Sequence, residues 1–98
     1  MQEIDYYHFL KQLNTSFLVL AAESKQTLNL QLIQASLITS NQQQEQFPLL
    51  FQGPDTPVLA QKTYNVKHEY LGELQLFLVP VARDDIGTQY EVVFNRWL

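Results

Sequence analysis

The spacing of apolar residues along this chain changes once, near Asn14. Before it, Tyr6, Phe9, Leu10 and Leu13 fall at i, i+3, i+4 and i+7, one stripe of a helical period. Asp5 can cap the start of that helix, and Asn14 can take the left-handed position that ends it. The spacing predicts one helix over residues 4–13, short enough that it must dock on something to persist.

After Asn14 the period becomes two. "TSFLVLA" (15–21) is apolar on both faces, and "ESKQ" breaks it. "TLNLQL" (27–32) alternates, with Leu28, Leu30 and Leu32 on one face; then Ile33, Ala35 and Leu37 carry the apolar face onward in the opposite phase. Two adjacent inward residues, Leu32 and Ile33, are what a β-bulge leaves in a sequence. A long strand bent in this way curls a sheet toward a barrel. "SNQQQEQ" (40–46) reads as a polar loop, "FPLLFQ" (47–52) as a strand stopped by "GPDTP", and "KTYNVKHEY" (62–70) as a strand with Tyr64, Val66, His68 and Tyr70 on one face. Leu71-Gly72 turns the chain into "ELQLFLVPVA" (73–82), "RDDIG" turns it again, and "TQYEVVFNRW" (88–97) is the last strand. Six strands at short spacing predict a mainly β (α+β) fold, a small antiparallel six-stranded barrel or curled sandwich with one N-terminal helix.

Length and composition narrow the class. Residues 1–98 form a single domain with one modest core. The chain has 46% hydrophobic and 16% charged residues, and thirteen glutamines keep its surface wet without a strong field. With no cysteine, thiolate metal sites and disulfides are excluded. The start "MQEIDYYHFL" lacks the features of a secretion signal, and no stretch has the length of a membrane span, so a soluble cytoplasmic protein without membrane contact is expected.

Candidate chemistry is sparse. His68 and Glu69 are adjacent on a strand, so their side chains point to opposite faces and cannot act as an acid–base pair. His68 reads as a buried residue whose ring nitrogens bond to backbone or to a hydroxyl. Asp84, Asp85 and Gly87 lack the alternating ligands of a calcium loop and read as a turn. Glu3, Asp5 and His8 have no metal-ligand spacing. No phosphate loop or nucleophile elbow is present, and no cofactor or catalytic residue is expected. Pro80 cannot donate to a ladder, so pairing should stop near it and leave an accessible edge in "LFLVPVA".

The runs "FPLLFQGP" (47–54), "LAQKTYNVKHEYLGELQLFLVPV" (59–81) and "YEVVFN" (90–95) resemble a family of short, uncharacterised bacterial proteins. Gly53, Pro54, Tyr64, His68, Gly72 and Asn95 are among the residues that carry the likeness. The chain departs from the family pattern at Pro48, where serine is usual, at Lys62, where glycine is usual, and at Asn14, where glycine often ends the helix. The resemblance implies no activity. It implies only a setting, beside phage-tail-collar-like or surface-fibre proteins.

The resulting expectation is a non-enzymatic accessory or protein-interaction module of a bacterium, with a protein partner or a second copy. Its candidate surface is Val79, Pro80, Val81 and Arg83 together with Trp97 near the chain end. The alternative is a small-ligand or carbohydrate-binding β domain that stacks ligands on Tyr64, Tyr70, Tyr90 or Trp97. A net charge of −4 with six scattered basic residues argues against nucleic acid. The protein should therefore show no salt-sensitive binding to single-stranded DNA or RNA in fluorescence anisotropy at physiological salt; micromolar binding that weakens with salt would contradict this.

Overall fold

The computed structural model describes residues 4–21, 26–36, 39–40 and 43–97; for residues 26, 39, 40, 96 and 97 it describes the backbone alone. Glu3, Leu37, Asn41 and Gln42, which enter the sequence readings, lie outside the described residues. The elements are α1 (Tyr6–Leu10), β1 (Ser16–Ala21), β2 (Gln26–Ala35), β3 (Thr39–Ser40), β4 (Gln44–Gly53), β5 (Lys62–His68), β6 (Gly72–Arg83) and β7 (Thr88–Trp97).

Neighbouring strands run β1-β5-β6-β7-β4-β2, and β2 returns to β1, closing a six-stranded antiparallel barrel. The small β3 lies beside the start of β4. Closure depends on β2, which pairs with β1 over Gln26–Gln31 and with β4 over Gln31–Ala35. Leu32 faces Phe51 and Gln34 faces Leu50, so Ile33 is an extra residue. That bulge is the phase change in the hydrophobic pattern, and it bends β2 from one partner to the other.

The barrel interior is full. Phe17, Val19, Leu30, Leu32, Phe47, Leu49, Phe51, Leu78, Tyr90 and Val92 are buried in one cluster with Phe9 of the helix. Edge-on contacts join Phe17 to Phe51 and Phe9 to Phe94, each at 5.1 Å between ring centroids. The helix is shorter than its apolar stripe predicts. Asp5 and His8 form a capping box at its start. Beyond Leu10 the chain winds as turns to Asn14, which has φ +67°. The Asn14 amide then donates to the Leu32 carbonyl at 2.7 Å, which docks the helical segment on the bend of β2.

Two expectations are corrected. Residues 44–46 are strand, not loop: they pair with Asn95–Trp97 of β7, and Gln44 donates to Asn95 Oδ1 at 3.2 Å. A run of glutamines looked like a solvated connection because its side chains are polar, but the ladder is made by backbone. Pairing also does not stop at Pro80. Pro80 faces Tyr90, Ala82 faces Gln89 and Arg83 faces Thr88, so Val81 is the extra residue of a second bulge. The β5 partner has already ended at Leu78, so Pro80 has only one neighbouring strand to satisfy.

Gly87 approaches β4 closely. Its φ is +149°, and a Cβ there would overlap the Gly53 carbonyl oxygen. Gly72 has φ +78° but open space around it. Gly87→Ala should therefore cost about 2 kcal/mol or more, while Gly72→Ala should cost about 1 kcal/mol, by urea denaturation. Equal losses at the two positions would contradict this difference.

Candidate functional site

The family-like residues gather at the two ends of the barrel. At one end the β4–β5 connection crosses the mouth and inserts Leu59, which is buried. The Leu59 amide donates to the Tyr90 hydroxyl at 2.8 Å, and the Tyr64 hydroxyl donates to the Ala60 carbonyl at 2.8 Å. Arg83 Nε donates to Asp55 Oδ1 at 2.7 Å, holding the start of the connection from outside. Gly53 is small for a reason: a Cβ would lie 2.5 Å from Leu30 Cδ2 and 3.4 Å from the Tyr90 ring. Pro54 follows as an exposed residue opening the crossing. The β6–β7 turn closes beside it, with the Asp84 carboxylate accepting from the Ile86 and Gly87 amides at 2.8 and 3.1 Å.

At the other end sits His68. Its ring packs 4.2 Å from that of Phe17, and the residue is buried, while Glu69 is exposed. Nδ1 accepts from the amides of Tyr70 and Leu71 at 3.0 and 3.2 Å, so the proton of the neutral ring is on Nε2. Nε2–H then donates to Thr15 Oγ1 at 2.8 Å, and Thr15 Oγ1 donates to the Gln12 carbonyl at 2.7 Å. The chain of donors runs one way, from the β5–β6 turn to the end of the helical segment. Burial holds the His68 pKa below its ordinary 6.5, against a weaker upward pull from Glu69. Neither ring nitrogen is free to take a proton from a substrate, so the geometry gives His68 a structural task.

Four of the proposed interaction residues lie together at the end of β6, and the backbone of the fifth, Trp97, lies apart from them. Val79 is half-buried on the outer face beside Glu91, Pro80 is half-buried on the face of Tyr90, Val81 is the exposed bulge residue, and Arg83 is held by Asp55. Trp97 lies seven residues from Tyr90 along β7, opposite Gln44, so its backbone is roughly 20 Å from Pro80. Its side chain is outside the described part. Of the aromatics considered as stacking platforms, Tyr64 and Tyr90 are buried and Tyr70 is exposed. Asn95 is exposed and accepts from Gln44.

Two outer depressions were not legible from sequence, because each is assembled from strands distant in the chain. One, of about 510 Å³, is lined by Leu20, Asn65, Lys67, Glu73 and Gln75 across β1, β5 and β6. The other, of about 210 Å³, lies across β2, β4 and β7 beside Glu91. Among the described residues no group of three or more potential metal ligands converges, and no helix is long and apolar enough to cross a membrane.

The model of the family described as a domain of unknown function, DUF6916, matches residues 4–94, and the chain belongs to that family. No curated protein and no solved structure matches the chain.

The His68 chain of donors has a sign under titration. Because the folded pKa lies below 6.5, its stabilising contribution is complete above that value and is lost as pH falls toward the folded pKa. The melting temperature should drop between about pH 7.5 and about pH 5, and His68→Gln should flatten part of that slope. His68→Ala should cost about 2–4 kcal/mol at neutral pH through a cavity and unmet amides. A variant of unchanged stability would contradict the structural role.

Proposed function

We propose that this DUF6916 domain is a non-enzymatic protein-interaction module, working from the outside of its barrel as an accessory of a bacterial tail-like or fibre-like assembly. The observation that carries this reading is where the unfilled chemistry lies. The lumen is packed with aromatic and aliphatic side chains, and both mouths are closed by the helical segment and by Leu59. Phe77, Val81 and Val93 nevertheless stand about half exposed, at 48%, 49% and 46%, on β6 and β7. Apolar residues at such exposure mark contact surfaces when they share a face, and Val79 and Leu50 extend this one. The tail-like setting rests on the company of the proteins that the sequence resembles.

One observation favours a second reading, a small-ligand or carbohydrate site. In the larger depression Gln75 donates to Asn65 at 3.3 Å, and Lys67 Nζ stands 3.9 Å from the Glu73 carboxylate. These exposed, loosely held amides and charges could exchange one another for a polyhydroxyl ligand.

Purification of the tagged full chain from its native host tests the two readings. A stoichiometric protein partner, stable to washing, is the expected result. The absence of one, with specific binding on a glycan array that Gln75→Ala abolishes, would overturn the interaction module in favour of the second reading.

A further inference from the structure

We infer that the outer face of β2, β4 and β7 holds a socket for one arginine of a partner protein, centred on Glu91. The inference rests on the reading of the domain as an interaction module and adds the place and chemistry of the contact. Glu91 is half-buried, and its cross-strand neighbours are Leu50 on β4 and Val79 on β6. Gln34 of β2 lies opposite Leu50 and continues the row. Pro48 and Val93 are paired on the same face, one outward step along.

The depression beside Glu91 is lined by Gln34, Ser36, Pro48, Leu49 and Leu50. Its volume of about 210 Å³ falls below the roughly 300–1,000 Å³ of a drug-sized ligand pocket, the scale of one long side chain. Among the described residues no hydrogen-bond donor or cation meets the Glu91 carboxylate. Arg83 is engaged by Asp55, and Lys67 stands beside Glu73. A half-buried glutamate set among apolar neighbours, with no donor or cation beside it among the described residues, leaves its carboxylate open to a cation from another molecule.

An arginine answers each feature of the site. Its planar fork matches a carboxylate in two parallel hydrogen bonds, and its aliphatic stem can lie along Leu50 and Pro48. The Gln34 amide oxygen offers a further acceptor. The exposed Val93 and the half-buried Val79 would surround that ion pair with apolar contact, which excludes water from it. The occupant is therefore an arginine carried on an extended, otherwise apolar segment of another protein. The net charge of −4 favours the approach of such a segment.

The test follows backbone amides of the full chain by NMR during titration with a blocked Val-Thr-Val-Arg-Val-Thr-Val peptide and with its citrulline counterpart. The arginine peptide should shift the amides of Gln34, Leu50, Glu91 and Val79. Citrulline, or Glu91→Gln in a protein that keeps its β spectrum, should weaken binding about tenfold or more. Equal binding of both peptides, shifts centred elsewhere, no shifts, or an unchanged Glu91→Gln variant would overturn the socket. Concentration-dependent dimerisation lost in Glu91→Gln would also overturn it, by making the occupant a second copy. A host partner held equally by wild type and Glu91→Gln would sink the socket while leaving the interaction module standing.

Discussion

Closure of the barrel hangs on the bend in β2. A strand can hydrogen-bond on two sides only if its neighbours lie where those sides point, and β2 must leave β1 and reach β4 within ten residues. Ile33 provides the turn by adding one residue against β4, so that Leu30 and Leu32 before it and Ala35 after it all face the core. Leu32, at the bend, also binds Asn14 and Thr15 through its backbone. The same residue thus closes the sheet and receives the segment that plugs its end. Phe9 can reach Phe17, Phe47 and Phe94 only because this docking places it over that mouth.

What was legible in sequence is what period two reports directly. The inward Tyr64, Val66 and His68 of β5, the phase change at Leu32-Ile33, the turns at Gly72 and Gly87, and the left-handed Asn14 all follow from side-chain alternation or turn chemistry, whereas Tyr70, read onto the same face, lies exposed in the turn after β5. What was not legible depends on partners. Polar residues 44–46 become strand because β7 runs far enough to pair with them, and nothing local in a run of glutamines says so. Pro80 looked like the end of pairing because proline lacks a donor. In the barrel, the strand that would have needed that donor has already finished at Lys62, opposite Leu78.

The candidate sites divide along the same line. His68 was readable as buried and bonded, since it falls on the apolar phase of β5, but Thr15 as its partner lies 53 residues away. The residues that carry the family likeness turn out to hold the ends together: Tyr64 and Gly53 at one mouth, His68 and Gly72 at the other. A motif of this kind is the imprint of a fold. That explains why it suggested no chemistry. Glu91, by contrast, sits in the ordinary outward phase of β7, and its position among Leu50, Val79 and Pro48 exists only once three strands are side by side.

A six-stranded barrel leaves little choice about where specificity can reside. Eight strands give an interior just wide enough to be filled by side chains or to hold one small ligand, so six, filled here by phenylalanines and a buried tyrosine, leave the lumen to packing. Each inward position is then constrained by volume, and variation that alters binding without unfolding the protein is confined to the outward ones. On β4 and β7 those outward positions include Pro48, Leu50, Gln52, Gln89, Glu91 and Val93. Gln89 donates to Gln52 at 3.3 Å, so this row is already satisfied within the sheet. The next row, Leu50 with Glu91, is not: its single charge is flanked by hydrocarbon and has no counter-ion in the described chain. Among the described residues, Gln52 and Gln89 satisfy each other while the Glu91 carboxylate of the next row meets neither donor nor cation, so an outward substitution there changes the chemistry of the surface without removing a contact that holds the fold.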